Sequence, residues 1–107
     1  MLSLDKIINI LKEVRNNYKD LKVGVAGSYV NNSATDESDI DVILEGDSTN
    51  MEVIEYIKNL FDIEVDVLWL NLLRQEDEEL DAFSISQGLP TNPYSVYKTV
   101  MKEVIWV

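Results

Sequence analysis

The chain reads as an α/β (α+β) fold, a small β-sheet flanked by helices. Helical and strand-type segments alternate along it, and three apolar stretches, Lys22 to Gly27, Ser38 to Glu45 and Asp62 to Leu70, have the length of strands. Its 107 residues make one domain, 1–107, able to bury a real core but leaving little room for a separate substrate-binding domain.

Leu4, Ile7, Ile8, Leu11 and Val14 recur at helical spacing behind Ser3, a capping residue, so an amphipathic helix runs from about Leu4 to Tyr18 with its apolar face in the core. Lys22 to Gly27 follows as a strand. Tyr29 to Glu37 is a polar connection with room for a short helix, and Ser38 to Glu45 is a second strand, ended by Gly46-Asp47-Ser48. The next helix opens on the capping-box pattern Thr49-Asn50-Met51-Glu52, lines its inner face with Met51, Ile54, Ile57 and Leu60, and ends near Phe61. The segment Ile63 to Leu70 is nearly all apolar, as a central strand covered on both faces requires.

Asn71 is placed to cap a further helix through Leu72, Leu73 and the run Gln75 to Asp81, in which five of seven residues are acidic. That run lacks the turn glycine of a calcium loop and reads as a solvated helix face. Gly88-Leu89-Pro90 breaks the chain. Asn92-Pro93 then reads as the cap and first turn of a last helix, with Tyr94, Tyr97, Met101 and Val104 striped toward the core. The ending Val104-Ile105-Trp106-Val107 must pack somewhere, as a terminal strand or as a contact in a homo-oligomer.

Composition excludes several function classes. The formal net charge is −11, from 20 acidic against 9 basic residues. DNA and RNA surfaces depend on Lys and Arg set against phosphate, so no direct nucleic-acid contact is expected, whereas a basic protein partner suits an acidic face. There is no cysteine, hence no disulfide, no thiol nucleophile and no Cys-based zinc site. No segment is long and apolar enough to cross a membrane, and the N-terminus lacks the pattern of a signal peptide, so a cytoplasmic location and no membrane partner are expected.

The chemistry concentrates in Val23 to Val42, where an apolar run ends in Gly27-Ser28 and a second begins with Asp39-Ile40-Asp41. On a strand, side chains alternate faces, so Asp39 and Asp41 share one face while Ile40 and Val42 point into a core. Two carboxylates about 4 Å apart repel by on the order of 4 kcal/mol at an effective dielectric near 20, an arrangement that a cation between them relieves. Asp66, inside the third apolar stretch, is a costly place for a carboxylate unless it is paired, hydrogen-bonded or bound to metal. If its strand lies beside that of Asp39, the three acids can converge on one or two Mg2+ ions. Ser28 is implausible as a nucleophile, since the chain has no histidine to act as its base.

Gly27-Ser28, a short loop, Ser38-Asp39-Ile40-Asp41-Val42 and a lone acid in a later strand resemble the DNA polymerase beta superfamily of nucleotidyltransferases. Within it the small size and the wording GSY…ATDESDIDV resemble the minimal nucleotidyltransferases (MNT), antitoxins paired with HEPN toxins. The resemblance implies the nucleotidyltransferase fold, with a small mixed β-sheet, and a metal-dependent transfer of a nucleoside monophosphate, AMP from ATP, to a protein hydroxyl. The implied acceptor is a tyrosine of a HEPN ribonuclease toxin, which the modification silences. In the implied roles Gly27, Ser28 and Ser38 bind the nucleotide, and Asp39, Asp41 and Asp66 are the catalytic metal ligands, Asp66 also helping to take the proton of the attacking hydroxyl.

Where active minimal members commonly carry Arg and then Gly, this chain has Asn31 and Asn32, and Asn supplies neither the charge nor the fork of a guanidinium. An alternative follows from that departure: a catalytically weak or inactive antitoxin that neutralises its partner by binding. A nucleotidyltransferase acting on a cationic antibiotic is a third reading, disfavoured by the short chain.

Overall fold

A computed structural model describes residues 2–107. The elements run α1 (Leu4–Asn17), β1 (Lys22–Ala26), β2 (Ile40–Glu45), α2 (Met51–Asn59), β3 (Val65–Trp69), α3 (Leu70–Ser86), α4 (Val96–Glu103) and β4 (Ile105–Trp106). The strands form one mixed sheet in the order β3-β2-β1-β4, with β1 antiparallel to both β2 and β4, and β2 parallel to β3. The chain is thus an α/β structure with helices on both faces of a small sheet, as its alternating segments predict.

Strand alternation sorts the apolar residues onto two cores. Val23, Val25, Ile40, Val42 and Leu44 meet Ile7, Leu11 and Val14 of α1 and Val53 and Ile57 of α2. On the opposite face Ala26 and Ile43 meet Leu70 of α3 and Val100 of α4. Each fully buried aliphatic side chain contributes roughly 1.5–3 kcal/mol. Ser3 caps α1 as expected, its Oγ accepting the Lys6 N–H at 3.2 Å. Tyr29, whose role the sequence leaves open, is buried in the first core.

Several expectations are corrected. The Asp66 strand is not central: β3 lies at the sheet edge, where Asp66 is exposed. Val65 and Trp69 on its inward side are buried, so its apolar run reflects one covered face and partial cover on the other. Asn50, not Thr49, caps α2, its Oδ1 accepting the Val53 N–H, because Thr49 is engaged with Asp47 through its Oγ1 at 2.7 Å. Asn71 caps nothing, since β3 passes directly into α3 behind Trp69; its Oδ1 is buried without a hydrogen-bond partner among the described residues.

The last helix starts later than the Asn92-Pro93 signal. Ser95 is its cap, accepting the Lys98 N–H at 3.2 Å, while the Asn92 side chain accepts the Tyr94 N–H in a turn of its own. Val100 is the buried residue of α4, Tyr97 and Val104 pack partly against the same core as expected, whereas Tyr94, which precedes the helix, and Met101 are exposed. The acidic run is solvated except at Asp77, which is 6% exposed and faces Lys98 at 3.8 Å, and at the part-buried Asp81, which holds the same ammonium at 2.9 Å and so ties α3 to α4. The apolar C-terminus is a terminal strand. β4 pairs with β1, Trp106 opposite Gly24, and a Cβ on Gly24 would press on Val104, Trp106 and the Ile105 carbonyl at 2.8–2.9 Å.

Candidate active site

Register builds the site. Ala26 stands opposite Asp41 across β1 and β2, so the chain leaves β1 at Gly27 beside the Asp41 carboxylate. Asp41 stands opposite Asp66 across the parallel pair β2 and β3, which puts both side chains on the α3–α4 face of the sheet about 4.8 Å apart at the backbone. Ile40 and Val42 point the other way and are fully buried. Asp39 lies one residue before β2, outside the strand and exposed, yet near enough that its charge acts on Asp41. The carboxylate of Asp41 is held above the usual range by its partial burial, then by the charges of Asp66, Asp39 and Glu103.

Gly27 is required here twice over. Its φ of +82° is a left-handed conformation that other residues adopt at a cost, and the space a Cβ would fill is taken by the Asp41 carboxylate. Its carbonyl accepts the N–H groups of Val30 and Asn31 at 3.0 and 3.1 Å, which curls the loop back over the strand end. Ser28 is half-buried at the start of that loop and its carbonyl accepts the Ser33 N–H. Ser38 closes the loop's far end: its Oγ accepts the Thr35 N–H at 2.8 Å.

The two asparagines have separate roles. The Asn31 side chain turns back to Ser33, accepting its N–H at 3.2 Å and its hydroxyl as well. Asn32 takes φ +63°, a conformation that Asn tolerates better than most residues, and so does the backbone work a glycine would do there. No guanidinium compensates for the missing loop arginine. Arg15 donates to the Val107 carbonyl at 3.0 Å, and Arg74 donates to Glu45 at 2.7 Å and to the Tyr97 hydroxyl at 3.2 Å. Glu45 is at the opposite end of β2 from Asp41.

Two clefts meet at Asp41. One, of about 240 Å³, lies toward α4 and is lined by Gly27, Leu68, Thr99 and Glu103 as well. The other, of about 420 Å³, wraps the β3 edge and adds Asp66, Ile54 and Lys58. Lys58 and Glu103 line these clefts and are not among the residues the sequence singles out. Glu103 Oε2 accepts the Gly27 N–H at 3.2 Å. Neither stands in a motif, and each reaches the site only because its helix is packed across the sheet.

The hard oxygen donors of Asp39, Asp41 and Asp66 suit Mg2+, and the repulsion on Asp41 gives a cation something to relieve. The convergence is nevertheless incomplete. Among the described residues no three acidic side chains stand in the geometry that holds a metal ion. Asp39 sits outside the strand, and like charges favour the spread arrangement.

Comparison with known proteins places the chain in a family. Residues 7–106 match the family model of the nucleotidyltransferase domain. The protein adenylyltransferase MntA of Thermococcus cleftensis is 28% identical over 116 aligned positions, covering 100% of this chain and 98% of that protein. Two Methanocaldococcus jannaschii proteins, provisionally named protein adenylyltransferases, are also similar. One is 32% identical over 79 positions, covering 64% of this chain and 79% of its own length; the other is 32% identical over 80 positions, covering 66% and 93%. With the Gly-Ser turn, the paired strand carboxylates and a family match along nearly the whole sequence, the chain belongs to the nucleotidyltransferase domain family, as one of its minimal members.

Proposed function

We propose that the chain is a protein adenylyltransferase that moves AMP from ATP, with Mg2+, to a hydroxyl on a protein partner. The single observation that carries this reading is the side-by-side placement of Asp41 and Asp66 next to the Gly27 turn. Gly27 and Ser28 present an N–H and a hydroxyl to the triphosphate. Asp39, Asp41 and Asp66 would hold Mg2+, which would supply charge neutralisation on the phosphates. The acceptor oxygen attacks the α-phosphorus, its proton passes to Asp66, the bond to the bridging oxygen breaks and pyrophosphate leaves. Lys58, which lines the cleft that Asp41 and Asp66 share, offers a basic side chain to the departing phosphates.

The partner in this reading is a HEPN ribonuclease toxin in the cytoplasm, modified on a tyrosine. What supports a protein partner is the outer part of α3, where Leu80, Phe83 and Ile85 are exposed beside Glu76, Glu78 and Glu79, a surface suited to a basic protein. Incubation with such a partner and ATP labelled on the α-phosphate should transfer label to the partner. The Asp39→Asn/Asp41→Asn variant should transfer none, and full transfer by that variant would sink the assignment.

A second reading is an antitoxin that neutralises by binding alone. The commitment of Asn31 to Ser33 and of both arginines elsewhere favours it. It is refuted if neutralisation of the toxin in cells requires the intact aspartates.

A further inference from the structure

Glu103 ends α4, and the helix offers nothing to hold an acid there. The carbonyl end of a helix carries partial negative charge and prefers a cation, such as Lys102 beside it. Across the cleft its carboxylate also faces Asp41, while Asp66 and Asp39 stand close to Asp41 from β3 and from the loop before β2. Among the described residues no Lys or Arg lines this cleft. What holds Glu103 is the Gly27 N–H, 3.2 Å from its Oε2, a donor lying just past the end of β1.

The position of Glu103 is fixed from both sides. Behind it α4 is anchored by Val100 in the second core, and ahead of it the chain enters β4, which pairs with β1 at Trp106 and Gly24. An anionic oxygen on the turn N–H that follows a strand is the kind of contact a nucleotide phosphate would make there in the reading proposed above. One N–H directed at one carboxylate oxygen does not serve a phosphate equally well at the same time.

We propose that Glu103 sets the nucleotide affinity of this site: its carboxylate holds the place of a triphosphate oxygen on the Gly27 N–H and must be displaced before the triphosphate seats. The inference rests on the nucleotidyltransferase reading above and adds to it a competitor supplied by the chain itself. Displacement costs a charge-assisted hydrogen bond, and the arriving phosphates meet one more negative charge for as long as Glu103 remains. Weakly held phosphate compounds are therefore excluded, and a metal-bound triphosphate, with its charge partly neutralised, gains entry.

The test is calorimetric titration of the wild-type chain, Glu103→Gln and Glu103→Ala with Mg2+-ATP and with Mg2+-tripolyphosphate. Tripolyphosphate has neither base nor sugar, so it reports on the phosphate contact alone. Glu103→Ala should bind both probes about tenfold more tightly than wild type, the effect of freeing one charge-assisted hydrogen bond. Glu103→Gln, which loses the charge but keeps an acceptor for the Gly27 N–H, should show a smaller gain in the same direction. Thermal unfolding checks that each variant is folded, and the near-isosteric Gln variant keeps the test open should the Ala variant fail. If wild type binds Mg2+-ATP and neither variant binds more tightly, Glu103 is only an anchor for α4 and the inference is overturned while the family chemistry stands. If no chain, Glu103→Ala included, binds Mg2+-ATP, both readings fall.

Discussion

At the scale of the residue, the site trades stability for charge placement. Asp41 is held above the usual carboxylate range in the fold, so between its unfolded and folded values the native state binds more protons than the unfolded chain, and stability falls as pH rises through that window. Above the window the whole cost is present. Asp41→Asn removes it and should raise Tm at pH 7 with EDTA present, a gain that shrinks as the pH is lowered into the acid range, and should abolish the AMP transfer proposed above. An unchanged or lowered Tm at pH 7 would contradict this account of the site. Gly27→Ala should cost at least about 1–2 kcal/mol in denaturant unfolding, since the new methyl group needs both the left-handed backbone and the space of the Asp41 carboxylate. Asn32→Ala should cost about 1 kcal/mol for its φ of +63°, and Asn32→Gly little or nothing.

At the scale of the element, the caps decide where helices begin, and they test the corrected boundaries. Asn50→Ala and Ser95→Ala should each cost about 1 kcal/mol, because their side chains accept the Val53 and Lys98 N–H groups that open α2 and α4. Asn92→Ala should cost less, as Asn92 serves only a turn. Equal losses at Ser95 and Asn92 by urea unfolding would return the helix start to the Asn-Pro signal. Sequence pattern misplaced these starts because several residues able to cap stand within a few positions of one another, and only the path of the backbone selects which side chain faces the free N–H groups. The strands are better specified. Two-residue alternation puts Ile40 and Val42 on one face and Asp41 on the other, and a slip of one residue would bury the aspartate in the main core.

At the scale of the whole molecule, charge and shape dominate. A formal net charge of −11 on a chain of 107 residues makes the folded state repel itself, and screening relieves that. Raising NaCl from about 0.01 M to 0.15 M, where the Debye length falls from roughly 30 to 8 Å, should therefore raise Tm. The same charge predicts no retention on DNA or RNA at low salt; retention in a gel-shift assay would contradict the exclusion drawn from composition. The radius of gyration, 15.0 Å, exceeds the roughly 13 Å of a compact chain this long. The excess agrees with the exposed outer turns of α3, where Phe83 and Ile85 are 61% and 68% accessible.

The sequence by itself determined the α/β class, the three main strands, the first helix with its Ser3 cap, and the neighbourhood of Gly27, Asp39 and Asp41, because each depends on contacts local in the chain or on strict alternation along one strand. It also placed Asp66 on a strand, and would have put that strand at the centre of the sheet. Tertiary structure alone decided that β3 is an edge, that Asp41 and Asp66 stand side by side while Asp39 lies outside the strand, and that Lys58 and Glu103 reach the site. Those facts rest on which strand pairs with which and on where helices cross the sheet, and such long-range pairings are set by the balance of the whole core rather than by any pattern within reach of a few residues.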